Sequence, residues 1–219
     1  MSRYKILYLA SDICYDDRMK TGVDYLPSEE KTMFDMRVAR IFTPAVKLAQ
    51  LGAQATFGYE IYTDARIGQG GHKVEVSKIK TLDDGGNPIN RHADLFRRLG
   101  LDETLQITDV LEGRLSIIGR RQLIPEEYED LREIATRTNT GRKLLAEWDD
   151  VVLPYKCGLL SSFSLEARAM GPESVERRLE LDVQDAYNAS KRHDKVLIRQ
   201  AVSALIGNRL TYGHLPIQE

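Results

Sequence analysis

The sequence predicts a mixed, helix-rich α/β fold in a single domain, with an extra strand and loop at its N-terminus. Three observations lead to this prediction: a short apolar run over residues 4–10, alternating polarity over 73–80, and helical periodicity over 31–50. The 219 residues are enough to bury one sizeable core. Since no repeat or linker divides the chain, we assign an N-terminal extension to residues 1–30 and the main domain to 31–219.

The N-terminal extension begins with the run YKILYLA at residues 4–10, whose β-forming side chains are typical of a buried strand. Residues 11–30 are rich in aspartate and contain Pro27, which predicts a long loop and a candidate lid. Acidic residues follow the apolar run at once, without a cleavage site of small residues, so a secretory signal is not expected. We therefore expect a cytoplasmic protein.

The stretch 31–50 is predicted to form an amphipathic helix. One stripe of a 3.6-residue repeat carries its apolar side chains, which are Phe34, Val38, Ile41, Phe42, Ala45 and Leu48. The charged residues fall largely off this stripe, and they are Lys31, Asp35, Arg37, Arg40 and Lys47. Pro44 is expected to kink or break the helix.

The central part of the chain predicts two strands and two turns. Residues 53–64 and 73–80 have strand character, and the glycines at 68–71 form a tight turn between them. The sequence DDGGNP at 83–88 marks a second turn.

Helical segments dominate the rest of the chain. The predicted pieces are 91–99, 102–112, 125–147 and one or two helices over 173–206, the first starting near Ser174, whereas 151–163 is predicted as strand or loop.

The composition excludes several function classes. The 31 basic and 33 acidic residues give a net charge of −2, which argues against a general nucleic-acid binder. The two cysteines, Cys14 and Cys157, exclude a disulfide scaffold and suggest free thiols in a reducing compartment. The four histidines share no ligand spacing. No stretch reaches the roughly 18–20 apolar residues of a transmembrane helix.

One motif stands out, in residues 97–123 (RRLGLDETLQITDVLEGRLSIIGRRQL). It resembles the core signature of the bacterial sugar transferases, the monotopic phosphoglycosyl transferases. The positions that match in register and without a gap are Arg97, Leu101, Asp102, Glu103, Gln106, Val110, Leu111, Gly113, Ser116, Gly119, Arg121 and Leu123.

The resemblance extends over about residues 32–209. Upstream, Arg66 with its following glycines and the segment 78–81 (KIKT) are similar to two further family motifs. Downstream, residues 174–183 (SVERRLELDV) follow the family pattern closely. The resemblance implies the phosphoglycosyl transferase catalytic fold.

The same resemblance implies a chemistry for Asp102 and Glu103. Asp102 would attack the β-phosphorus of a nucleotide diphosphate-sugar, expel the nucleoside monophosphate and hold the sugar phosphate as an acyl phosphate. A phosphorylated or hydroxyl acceptor would then take it. Glu103 would hold Mg²⁺, because hard carboxylate oxygens suit this ion.

An anionic nucleophile that approaches a diphosphate needs neutralising cations. Two unit charges about 4 Å apart repel by ~4 kcal/mol at an effective dielectric constant near 20. The residues expected to bind the substrate and its phosphates are Arg66, Lys80, Arg97, Arg98, Gln106, Arg120 and Arg121.

Two departures from the family keep alternatives open. The helix 31–50 corresponds to a membrane re-entrant helix, yet it carries five charges, each of which opposes insertion by roughly 2.5–3.5 kcal/mol. Both prolines of the family's Gly-Pro-Arg-Pro loop are lost at Arg120 and Gln122. We therefore predict a soluble phosphosugar transferase, in which the exposed helix favours self-association into homo-oligomers. The alternatives are a catalytically altered homologue that binds a nucleotide sugar or scaffolds a pathway, and a transferase with a polyprenyl-phosphate acceptor, docked on the membrane by a partner or through its amphipathic helix.

Overall fold

The computed structural model describes residues 20–58, 60–98, 100–170 and 174–206. Its helices are α1 (Lys20–Tyr25), α2 (Glu29–Phe57), α3 (Arg91–Arg98), α4 (Gln106–Leu111), α5 (Pro125–Thr136), α6 (Asn139–Val151), α7 (Ser162–Met170), α8 (Val175–Asn188) and α9 (Lys191–Ile206). Its strands are β1 (Ile61–Ile67), β2 (Lys73–Ile79), β3 (Ser116–Ile118) and β4 (Gly158–Leu160). The helix-rich mixed α/β fold is confirmed. The predicted strand at 4–10 and Cys14 lie outside the described residues.

Two small sheets interrupt the helices. Strands β1 and β2 form an antiparallel hairpin in which Ile61 pairs with Ile79 and Ile67 with Lys73. The predicted glycine turn between them is a short 3-10 turn over Gln69–Gly71. Strands β3 and β4 pair in parallel.

Helix α2 differs from the prediction in its extent. It runs without a break through Pro44, so the expected interruption does not occur, and it ends at Gly58, whose φ of 81° suits glycine. The predicted strand over 53–64 is therefore wrong for its first part, where residues 53–57 are still helical. Helix α2 packs against α3, α4 and β3.

The buried face of α2 also differs from the predicted stripe. Ile41 and Leu48 are 74% and 71% exposed, whereas the charged residues Lys31 and Asp35 are buried. The reason is an internal ion network, in which Lys31 Nζ lies 2.9 Å from Asp35 Oδ1 and 2.8 Å from Asp194 Oδ2. Ser116 Oγ donates to the other oxygen of Asp35 over 2.7 Å. An ionic partner on α9 and a hydroxyl partner on β3 thus bury Lys31 and Asp35 beside Phe34, which is the buried member of the predicted stripe.

The predicted loop over 11–30 is wrong for its last third. Residues 20–25 form α1, and α2 has already begun at Glu29. Helix α1 packs closely on α8, because a Cβ added at Gly22 would come within 2.0 Å of the Tyr187 carbonyl oxygen. Tyr25 at its end donates to Asp194 Oδ2 over 3.3 Å.

The C-terminal half is helical, as predicted, but in more pieces. The stretch 125–147 is split between α5 and α6, because Thr138 caps α6 by accepting from the Gly141 N–H over 2.8 Å. Ser174 caps α8 in the same way, which confirms the predicted start.

Two apolar cores support this arrangement. One surrounds β2, α4 and β3, and the other joins α5, α6 and α8 around Trp148 and Leu179, neither of which has exposed surface. Among the described residues, no helix is both long and apolar enough to cross a membrane.

Candidate active site

The predicted acidic pair, Asp102 and Glu103, lies in a tight turn between α3 and α4, which we call the acidic turn. Gly100 adopts a φ of 68° and turns the chain into a single 3-10 turn over Leu101–Glu103. Thr104 Oγ1 donates to the Leu101 carbonyl over 2.7 Å and fixes the end of that turn. Strand β2 packs against the turn. The acidic pair is thereby held between the β1–β2 hairpin and α3.

Asp102 is a buried carboxyl, 6% exposed. Burial, and then the charge of Glu103, raises the pKa of Asp102 to about 6, whereas the charges of Lys78 and Arg97 pull it down. An Asp102 that ionises near neutrality and is poorly solvated has the properties of a nucleophilic carboxylate.

Glu103 is more open and is held by a lysine. Lys78 Nζ donates to Glu103 Oε1 over 2.9 Å, and the two side chains are 11% and 40% exposed. Lys78 belongs to the matched segment 78–81, but the sequence analysis selected Lys80 from that segment instead. Lys80 instead lies 3.5 Å from Glu60 and 3.4 Å from Asp84. Of the two lysines, Lys78 is the one that contacts the acidic pair.

The predicted arginines divide into two groups. The charge of Arg97 acts on Asp102, and the charges of both Arg97 and Arg66 act on Tyr62 in β1. Arg66 is bound to Asp64. The side chain of Arg98 lies outside the described residues. The charge of Arg97 thus acts on Asp102 itself, whereas Arg66 is related to Tyr62 and Asp64 on its own strand.

Arg120 and Arg121 form the second group. Arg120 is buried and donates to the carbonyls of Ile67 and Gly68 over 3.3 and 2.6 Å. Its guanidinium also lies 5.2 Å from the centre of the Trp148 ring. Two of its nitrogens are therefore occupied by the backbone at the end of β1. Arg121 is exposed.

Gln106 connects the acidic turn to the loop that contains Arg120 and Arg121. The buried Gln122 Nε2 donates to Gln106 Oε1 over 3.1 Å. Gln106 therefore lies near the site. Its side-chain oxygen accepts from Gln122, which the sequence analysis did not select as a site residue.

Magnesium fits the donors that are present. Among the described residues, no three His, Cys, Asp or Glu side chains converge as a ready-made metal cage. Mg²⁺ in proteins often takes only one or two carboxylates and completes its shell with waters and substrate phosphates. Glu103 and Asp102 can supply those carboxylates.

A separate cavity lies between α2 and α9. It is a groove of about 730 Å³ with Phe34, Ile41 and Ile198 in its apolar lining. Its basic residues are Arg37, Lys191, Lys195 and Arg199. The cavity does not include either residue of the acidic pair.

Comparison with known proteins gives one result. A family model described as bacterial sugar transferase matches residues 28–208, which include the hairpin, the acidic turn and α8. A search among curated proteins found none that matches.

Proposed function

The chain belongs to the bacterial sugar transferase family, and we propose that it transfers a phosphosugar from a nucleotide diphosphate-sugar to an acceptor through an aspartyl intermediate. The observation that supports this proposal most directly is the acidic turn: a buried Asp102 with a raised pKa, next to a Glu103 bound by Lys78.

In the first step, one carboxylate oxygen of Asp102 attacks the phosphorus that carries the sugar. The bond between this phosphorus and the bridging oxygen breaks, and the nucleoside monophosphate leaves with the electron pair. The phosphosugar remains on Asp102 as an acyl phosphate. In the second step, an oxygen of a phosphorylated or hydroxyl acceptor attacks the same phosphorus and releases the Asp102 carboxylate. A hydroxyl acceptor also loses its proton to solvent or to a base.

The cationic side chains lower the electrostatic barrier to the first step. Lys78 and Arg97 stabilise the ionised form of Asp102, and we propose that they also offset the charge of the diphosphate. Arg66 is proposed as a further phosphate contact. The exposed Arg121, on the loop joined to Gln106 through Gln122, is proposed to contact the nucleotide part.

Glu103 is proposed to hold Mg²⁺. When bound, the ion supplies Lewis-acid stabilisation of the phosphate oxygens. Because the Glu103 side chain is 40% exposed, its carboxylate can be reached from solvent.

A direct test is to incubate the protein with Mg²⁺ and UDP-glucose, UDP-N-acetylglucosamine or GDP-mannose, and to record its intact mass. We expect a mass increase of one phosphosugar with the preferred donor and release of the nucleoside monophosphate. Asp102→Asn should form no adduct, whereas Asp130→Asn, which removes an exposed carboxylate on α5, should behave like the unmodified protein.

The same experiment distinguishes the proposed reaction from its principal alternative. The loss of both loop prolines and the inward contacts of Arg120 favour, as a second candidate, a homologue that binds a nucleotide sugar without reacting. Tight donor binding with neither adduct nor nucleotide release would establish that alternative.

A further inference from the structure

Tyr62 occupies a defined place beside the acidic turn. In the β1–β2 hairpin it pairs directly with Lys78. Directly paired residues of antiparallel strands project their side chains to the same face, with Cβ atoms roughly 4.5–5.5 Å apart. Because Lys78 on that face reaches Glu103 over 2.9 Å, the Tyr62 ring stands next to the cation that holds the acidic pair.

Four charged groups influence the Tyr62 hydroxyl. The charges of Asp64 and Asp102 raise the pKa of Tyr62, and those of Arg97 and Arg66 lower it. Burial is the largest influence, and together with the two aspartates it raises the pKa of Tyr62. The hydroxyl therefore stays protonated at neutral pH and is available as a neutral hydrogen-bond donor.

Tyr62 also differs from other tyrosines of the fold in how its hydroxyl is used. Tyr25 donates to Asp194, Tyr187 donates to Glu147, and the Tyr128 oxygen accepts from Arg132. Within the part of the chain that the structure describes, the hydroxyls of Tyr62 and Tyr155 make no such bond, and of these two it is Tyr62 on which the charge of Asp102 acts. The residue is 39% exposed, so a ligand can reach it.

We infer that Tyr62 is a substrate-positioning residue, whose hydroxyl donates a hydrogen bond to a phosphoryl oxygen of the donor bound at Asp102. This inference rests on the proposed function. Phosphoryl oxygen is the acceptor that fits, because Lys78, Arg66 and Arg97 draw the diphosphate to this face of the hairpin. A neutral donor adds orientation there without adding another positive charge, and it leaves the nucleophilic role to Asp102.

The test compares Tyr62→Phe with the matched control Tyr155→Phe. Tyr155 is also partly buried, and its surrounding acids are Asp24 and Asp150 rather than the acidic turn. With the donor identified in the adduct screen, we expect kcat/KM of Tyr62→Phe to fall about 10- to 100-fold, mainly through KM, which corresponds to the loss of one hydrogen bond to a charged acceptor. Tyr155→Phe should stay within twofold of the unmodified protein.

A second measurement separates the phosphates from the sugar. Binding of the nucleoside diphosphate alone, in the presence of Mg²⁺, is measured by calorimetry on Asp102→Asn with and without Tyr62→Phe. We expect the added substitution to weaken this binding at least fivefold while leaving the thermal midpoint unchanged. A purely structural role would lower the midpoint and leave the affinity intact, and that result would overturn the inference.

The remaining outcomes are also decisive. Adduct formation by the unmodified protein together with unchanged kinetics of Tyr62→Phe would reject the role of Tyr62 and retain the proposed function. Weakened binding of the sugar nucleotide but not of the diphosphate would reject the phosphoryl contact. No adduct and no donor binding by the unmodified protein would reject the proposed function and this inference together.

Discussion

Lys78 donates a hydrogen bond of 2.9 Å to Glu103, the second residue of the acidic pair, and its charge also lowers the pKa of Asp102. One cation thus serves both carboxylates, and it comes from the hairpin rather than from the segment that contains them.

Replacing that cation should impair the transfer reaction selectively. We expect Lys78→Met to slow adduct formation roughly 100-fold, since about 2.7 kcal/mol of electrostatic stabilisation in the transition state is lost. The measurement is the single-turnover rate by intact mass. Lys80→Met is the control, because Lys80 pairs with Glu60 and Asp84 instead. Equal losses in the two variants would show that Lys78 has no special role.

Asp102 should weaken the fold at neutral pH when metal is absent. Its pKa is raised from 3.8 to about 6, mainly by burial, so the folded protein binds this proton more tightly than the unfolded chain. Stability must then decrease as the pH rises from about 4 to about 6. We expect Asp102→Asn to be more stable on the order of 2 kcal/mol at pH 7.5, in urea unfolding with EDTA present.

The pH dependence supplies the control for that prediction. Well below pH 3.8 the carboxyl is protonated in both states, so the advantage of Asp102→Asn should disappear there. A variant that is less stable than the unmodified protein at pH 7.5 would contradict the proposed burial of an ionised Asp102.

Trp148 and Asp182 form a buried pair in the second core, and its loss should be costly. The indole Nε1–H donates to Asp182 Oδ2 over 3.0 Å, and both residues are buried. We expect Trp148→Phe to lower the free energy of unfolding by about 2–4 kcal/mol, from the lost packing and the unpaired carboxylate. Chemical denaturation monitored by circular dichroism provides the measurement.

This loss should also depend on pH. Burial raises the pKa of Asp182 to about 6, and the Trp148 hydrogen bond opposes that rise. Without the bond the pKa rises further, so the variant should lose stability over a wider range as the pH increases above 6. In an Asp182→Asn background the extra pH dependence should vanish. If it persists there, another group is responsible.

Lys31 should be needed for folding rather than for chemistry. Its ammonium group is shared by Asp35 and Asp194, and all three residues are buried. Lys31→Met leaves two carboxylates without their cation, which we expect to cost about 3–5 kcal/mol. Lys47→Met, on the exposed face of the same helix, should change stability by less than about 0.5 kcal/mol. A large part of the loss should be recovered in the double variant Lys31→Met/Asp194→Asn, which a denaturation series would reveal.

The sequence predicted much of the local structure correctly, because local signals specify it. The alternation over 73–80 placed β2, the glycines placed the turn over 69–71, and Ser174 marked the start of α8. These features depend on periodicity and capping, which act over a few residues.

The errors arise where distant partners override local preference. The apolar periodicity of α2 pointed to Ile41 and Leu48 as buried, but the partners of Lys31 and Asp35 lie some 80 to 160 residues away in sequence and determine which face is covered. The positions of Lys78 and Tyr62 in the site depend on the register of the hairpin and on how the acidic turn packs against it. Neither is encoded in spacing along the chain.

The amide contact between Gln106 and Gln122 has a consequence for how this protein can diverge. At position 122, where the family pattern has a proline, this chain has a glutamine whose side chain is hydrogen-bonded to Gln106. In this chain, a mutation at either glutamine alone leaves the polar amide of the other without this partner in the interior, so single changes here are expected to be selected against, although the family pattern itself combines a glutamine at the first position with a proline at the second.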